Sequence, residues 1–256
     1  MTGRMTIEEI KALGYARTYG ARGLVGLIVP SVNINCEPEF HRLMPRGVTV
    51  HTARVLSDGA VTQAHYDTMA AGTTDAARLL GTASPDLIVY ACTSGSLLCD
   101  RESIKAEMTR VSGTPVTTTI DAVLEALAMF GAKSIALATP YRQFVTDGEI
   151  AFLEQNGYRV RSALGLDLGR THEEKLLLHR VPPESIRQLA LAADSREADV
   201  LFLSCTGFGA LDVIDRLEAE LGKPVITSNQ ATIWHCLRRL GLADRIDGHG
   251  RLLREF

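Results

Sequence analysis

The sequence predicts an α/β protein of two pseudo-symmetric lobes, each built on a parallel four-stranded sheet with the active site in the cleft between them. Two observations predict it. Short continuous apolar runs alternate with helical patterns along the 256 residues, which is the mark of buried parallel strands in βαβ units. Landmarks also recur in one order at a nearly constant offset. Pro30 closes the run Leu27-Ile28-Val29 and Pro140 closes Leu137-Ala138-Thr139, 110 positions on; Cys92 and Cys205 lie 113 apart; Gly-Thr-Pro-Val at 113–116 returns as Gly-Lys-Pro-Val at 222–225, 109 apart. An internal duplication follows, each half forming a Rossmann-like lobe.

In order along the chain, residues 1–22 read as an N-terminal helical extension. Arg4, Glu8, Glu9 and Lys11 leave it without the apolar core of a secretory signal, and residues 7–15 suit a short amphipathic helix. The first lobe, 23–120, takes strands at 24–29, 48–55, 87–91 and 116–118, with helices at 62–80 and 97–110. The chain crosses over near 119–121. The second lobe, 121–240, takes strands at 135–139, 159–164, 200–204 and 225–227, with helices at 122–130, 144–156, 183–193, 211–221 and 231–240. Residues 241–256 are expected to return to the first lobe. No Gly/Ser-rich or charged linker separates the halves, so they are expected to pack closely with a cleft between them.

Composition excludes several classes. A net charge of −3 offers nothing to nucleic acid or an anionic membrane, and no apolar run is long enough to span a bilayer. Five cysteines without regular spacing argue for free thiols in a reducing cytoplasm. The seven histidines show no zinc-like spacing, and neither a Gly-x-Gly-x-x-Gly nor a Walker lysine motif marks a nucleotide site. Neither a cofactor nor a metal is expected.

The chemistry concentrates at the two Cys-Thr phrases. Cys92 and Cys205 fall at the carboxyl ends of strands, where ligands of open parallel sheets bind. Each leads into residues suited to a tight turn, Thr93-Ser94-Gly95-Ser96 and Thr206-Gly207-Phe208-Gly209, whose free N–H groups attract anions and are expected to lower the thiol pKa. Two opposed sulfurs suit reaction on both faces of a planar carbon, one attacking or removing a proton and the other supplying one. Cys36, Cys99 and Cys236 read as small buried hydrophobes.

These motifs resemble the aspartate/glutamate racemase superfamily, and within it the maleate cis–trans isomerases and arylmalonate decarboxylases. Pro30-Ser31-Val32-Asn33 with Glu37 and Glu39, Ala91-Cys92-Thr93-Ser94-Gly95, Ala138-Thr139-Pro140-Tyr141 and Ser204-Cys205-Thr206-Gly207 carry the resemblance, which runs from Gly23 onward. The decarboxylase branch has a glycine where this chain has Cys92, so the resemblance leans towards the isomerases. It implies that Cys92 adds to the alkene of maleate to give a succinyl-thioether, with Cys205 as acid/base partner and fumarate as product. It also implies that Asn33 and Tyr141 hold carboxylates, helped by Pro30, Ser31, Thr93, Ser94, Thr206 and Gly207. The family commonly places a carboxylate-binding asparagine where Thr171 falls here; Arg170 or His172 could take over its task.

An amino-acid racemase using the two cysteines as base and acid, as in relatives encoded with ectoine-degradation genes, remains a second reading. An arylmalonate-type decarboxylase is the third, and a non-catalytic carboxylate binder the fourth. The expected partner is a small dicarboxylate, and the resemblance implies a homodimer or homotetramer. His172 and Arg170 are read as surface groups, Trp234 as packing, and Gly248-His249-Gly250-Arg251 as either a cover over the cleft or a plain chain end.

Overall fold

The computed structural model describes residues 4–14 and 16–256. Helix α1 (Ile7–Ala12) precedes β1 (Gly23–Pro30), α2 (Cys36–Leu43), β2 (Val48–Val55), α3 (Gln63–Gly81), β3 (Leu87–Tyr90), α4 (Thr93–Leu97), α5 (Arg101–Ser112) and β4 (Val116–Thr118). The second half runs α6 (Thr119–Met129), β5 (Ser134–Thr139), α7 (Gln143–Gln155), β6 (Arg159–Gly165), α8 (His172–Leu178), α9 (Pro183–Ala193) and β7 (Val200–Leu203). A 3-10 turn at Leu211–Val213 then leads into α10 (Ile214–Leu221), β8 (Val225–Thr227), α11 (Ser228–Arg239) and α12 (Arg251–Glu255).

Both sheets are parallel and share one topology, β2-β1-β3-β4 and β6-β5-β7-β8. Every residue of β3, β5 and β7 is buried, whereas the edge strand β6 is mostly exposed. That contrast explains why the central strands are unbroken apolar runs and the edge alternates.

The helices after the fourth strand of each sheet bridge the two lobes. α6 packs on β8 and α4, α11 packs on β3 and α2, and the two lie along each other. Each opens with a capping box, Thr118 with Asp121 and Thr227 with Gln230, so the orphan amides at both helix starts are satisfied in the same way. α11 is buried over ten consecutive residues from Ser228 to Leu237. A helix so polar survives burial because its side chains are hydrogen-bonded. Thr232 Oγ1 donates to Thr119 Oγ1 (3.1 Å), and His235 lies between Thr117 (2.8 Å) and Glu125 (2.8 Å). The segment after α11 lies on α10 and α11: Gly250 N donates to Asp215, Arg251 N to Glu218, and Gln230 Nε2 to the His249 carbonyl. Asp244 meanwhile pairs with Arg22 just ahead of β1.

Some elements differ from expectation. The single helix expected at 97–110 is two, because Leu98 ends α4 and the Asp100 carboxylate accepts from Ser103 N to start α5. α2 and α8 were not foreseen; both are short. α1 stops at Ala12, and Tyr15 lies outside the described residues. Among the described residues no helix is long and apolar enough to cross a membrane.

Candidate active site

The middle strands β3 and β7 each run into a cysteine at their carboxyl end. Cys92 is the N-cap of α4, and its Sγ accepts from Gly95 N (3.3 Å) with Ser94 Oγ at 3.9 Å. Cys205 Sγ accepts from Gly207 N (3.2 Å), and Cys205 N donates to Ser228 Oγ (3.0 Å). Both glycines are required by close approach. A Cβ at Gly95 would meet the Tyr90 hydroxyl and come to 3.0 Å from Cys92 Sγ; one at Gly207 would meet His179 Nδ1 and come to 3.1 Å from Cys205 Sγ.

Hydrogen bonds across the lobes lock the two loops together. Thr93 Oγ1 donates to Ser228 Oγ (2.8 Å), the hydroxyl that receives Cys205 N. Thr206 Oγ1 donates to the Ala91 carbonyl (3.2 Å) and accepts from Asn33 Nδ2 (3.1 Å). Asn35 Nδ2 donates to the carbonyls of His179 (2.9 Å) and Gly207 (2.5 Å). Buried bonds of this kind are costly to leave half-made, so the loops are fixed relative to one another.

The result is a cavity of about 50 Å³ lined by both cysteines. A water needs roughly 10–15 Å³ by the same measure, so the space suits a small ligand. Pro30, Thr93, Ser94, Tyr141 and Thr206 line it as expected. Four expected residues do not. Asn33 lies behind Thr206, with its Oδ1 accepting from Asn35 N and Cys36 N (both 3.0 Å) at the start of α2. Ser31 Oγ accepts from Ser57 N (3.0 Å), and Gly207 contributes only its backbone. Thr171 is exposed, and its hydroxyl caps α8 by accepting from Glu174 N (3.1 Å). Thr171, expected to meet a carboxylate, thus stands outside the cavity lining. Arg170 pairs with Asp167, and His172 with Asp58 (3.2 Å), both at the surface.

The lining residues that sequence reading missed include four of basic type. His65, Arg142, Lys175 and His179 line the cavity, together with Ser57, Tyr66 and an apolar wall of Val32, Val61, Met69, Leu168 and Leu178. Lys175, Leu178 and His179 lie at i, i+3 and i+4, one face of a helical turn. Thr171-His-Glu-Glu carries the Thr-x-x-Glu signal of a helix start, and that signal could have found α8. Glu174 uses its carboxylate on the amides of Gly169 (3.1 Å) and Arg170 (2.8 Å).

The thiols are not depressed as expected. Burial raises the Cys92 pKa, opposed by the Gly95 N–H and the Ser94 and Tyr90 hydroxyls. Burial pushes Cys205 up to about 12, opposed by the Tyr141 hydroxyl and the Gly207 N–H, with Cys92 and Glu149 adding to the rise. One amide per sulfur does not offset the loss of water around a thiolate. Burial also lifts Glu149 to about 8, despite the hydrogen bond from Ser204 Oγ (2.6 Å), and drops His179 to about 4. At neutral pH the acid beside Ser204 is thus protonated and His179 is uncharged.

Comparison with known proteins places the chain. A family profile described as arylmalonate decarboxylase matches residues 25–253. Maleate isomerase of Nocardia farcinica is 28% identical over 244 residues, covering 90% of this chain and 95% of that protein. Arylmalonate decarboxylase of Bordetella bronchiseptica is 30% identical over 237 residues, covering 90% and 96%. The crystal structure of the maleate isomerase from Pseudomonas putida S16 superposes with a TM-score of 0.83 at 25% identity, covering 91% of this chain and 98% of that one.

Proposed function

The chain belongs to the arylmalonate decarboxylase family and is an isomerase, and on that premise we propose that it interconverts the cis and trans forms of a small unsaturated dicarboxylate of the maleate type. The observation that carries the reading is the pair of thiols, one from each half of the duplication, lining one cavity.

Cys92, whose sulfur receives the Gly95 amide with the Ser94 hydroxyl nearby, acts as nucleophile once deprotonated. Its sulfur forms a bond to one alkene carbon, and the π electrons move onto the neighbouring carbon, conjugated with its carboxylate. The Cys205 thiol, held as the neutral acid by its high pKa, gives its proton to that carbon. The resulting thioether has a single bond where the alkene stood, and rotation about it exchanges cis for trans. Cys205 thiolate then takes a proton back, the C–S bond breaks, and the alkene re-forms with Cys92 released. No atom is gained or lost.

The racemase alternative is less well supported by the lining. An amino-acid substrate carries an ammonium that wants a carboxylate partner, and no Asp or Glu lines the cavity among the described residues. Arg142 and Lys175 suit a second carboxylate instead. Incubating purified protein with maleate and following fumarate tests the proposal, with aspartate and glutamate in deuterated water run in parallel. Fumarate formation without exchange at the amino-acid Cα is expected. Solvent deuterium at that carbon, with maleate untouched, would replace isomerisation by racemisation.

A further inference from the structure

Lys175 is 2% exposed, and among the described residues its Nζ meets no hydrogen-bond partner. It lines the cavity from α8, and Arg142, whose Nε is likewise buried without a partner, lines it too. Among the acids around α8, Glu173 is exposed and the others are engaged elsewhere. Glu174 accepts from the amides of Gly169 and Arg170, Asp167 pairs with Arg170, and Asp58 pairs with His172. The other polar neighbours cannot neutralise an ammonium. His65 Nδ1 faces the Asp58 carbonyl (3.1 Å) and so carries the proton, while His179 Nδ1 has no partner. A buried cation without an anion is an expensive arrangement for a fold to keep, and a ligand carboxylate removes the expense by supplying the missing charge with a charge-assisted hydrogen bond.

We propose that Lys175, with Arg142 in the same lining, binds one carboxylate of the substrate and thereby makes the cavity selective for diacids. This rests on the isomerase reading of the same cavity and goes beyond it by assigning the specificity-determining group. The task expected at Thr171 moves one helical turn along α8, from a capping hydroxyl outside to an ammonium inside.

The test uses the full chain with succinate and its monoamide, which lack the double bond and do not react. Dissociation constants are measured by calorimetry for the wild type, Lys175→Gln and Lys175→Arg, with melting temperatures alongside. The wild type is expected to prefer succinate by roughly tenfold or more, the weight of one charge-assisted pair. Lys175→Gln is expected to lose most of that preference while binding the monoamide as the wild type does, and Lys175→Arg to restore part of it. Without ligand, Lys175→Gln is expected to melt no lower than the wild type, since it sheds an unpaired charge; a role confined to packing would lower melting and leave the preference intact. A wild type that prefers succinate, with Lys175→Gln keeping that preference, overturns the assignment of Lys175 alone. A wild type that binds neither probe overturns the diacid reading of the cavity and this inference with it.

Discussion

Cys92 and Cys205 stand at matching places in a duplicated fold, yet their surroundings diverge. Each ends the same strand of its sheet, and each Sγ accepts one backbone amide two or three residues on. Behind them the duplication placed another matched pair, Glu39 on α2 and Glu149 on α7, 110 positions apart and both buried. Their carboxyls are lifted by burial to about 7 and about 8. Both acids brace the second loop. Glu149 receives Ser204 Oγ, and Glu39 receives Asn229 Nδ2 (2.6 Å), whose amide also holds the Thr206 carbonyl (3.1 Å). Hydroxyls stand by both sulfurs, those of Ser94 and Tyr90 at Cys92 and that of Tyr141 at Cys205. A duplication thus supplies two thiols at equivalent places, and the buried acids that brace only the second loop make their surroundings unequal.

The sharpest way to break this comparison is to remove each sulfur in turn. Cys92→Ala is expected to abolish turnover of maleate, a loss of at least about 10³-fold, and to form no covalent adduct. Cys205→Ala is expected to be similarly slow for want of the acid, a loss of ~10²–10⁴-fold, while retaining the nucleophile. Intact-protein mass spectrometry after maleate treatment therefore distinguishes them, with an added substrate mass in the Cys205 variant alone. An adduct on the Cys92 variant instead would reverse the roles.

The glycines come next. Gly207→Ala forces its new methyl group against His179 and the Cys205 sulfur, at a cost of ~1–3 kcal/mol by denaturant unfolding and a clear loss of activity. Pairing it with His179→Ala is expected to recover much of the stability, because the side chain that is struck is then gone. Stability equally low in the double variant would locate the strain in the backbone.

The last effect, on stability rather than on turnover, is a matter of pH. Glu149 has a folded pKa of about 8 against an ordinary carboxyl value of 4.5. Its neutral form favours the folded state, so this contribution is complete below about pH 4.5 and is lost as pH rises through about 8. Glu149→Gln keeps a neutral side chain that can still accept from Ser204. It is expected to flatten the fall in unfolding free energy between pH 5 and 8, by on the order of a few kcal/mol at the alkaline end. Melting or denaturant curves across that range read it, and an unchanged slope would show that Glu149 already ionises without cost.

Much of this was legible in the sequence, for a local reason. Central strands such as Leu87–Tyr90 and Val200–Leu203 are buried on both faces and cannot be anything but apolar runs. The recurring prolines and cysteines exposed the duplication. Lys175 was not legible, because a lysine between two glutamates and three leucines looks like any solvated helix face. Only the packing of α8 against the cavity, with Thr171 as its cap, turns that side chain inward. The thiol pKa direction was misjudged for a related reason: local sequence shows the amides that stabilise a thiolate, but the water that burial removes depends on chain segments far away.

The sequence by itself determined the two-lobed α/β architecture, the pair of strand-end cysteines and the loops of small residues after them, since each follows from patterning within a few neighbours. The tertiary structure alone decided which side chains face the cavity, that α6 and α11 bridge the two lobes, and that Ser228 joins the two cysteine loops. Those features depend on contacts between residues more than a hundred positions apart, where the energy of a buried charge or an unpaired hydrogen bond is set by what the other half of the chain brings to it.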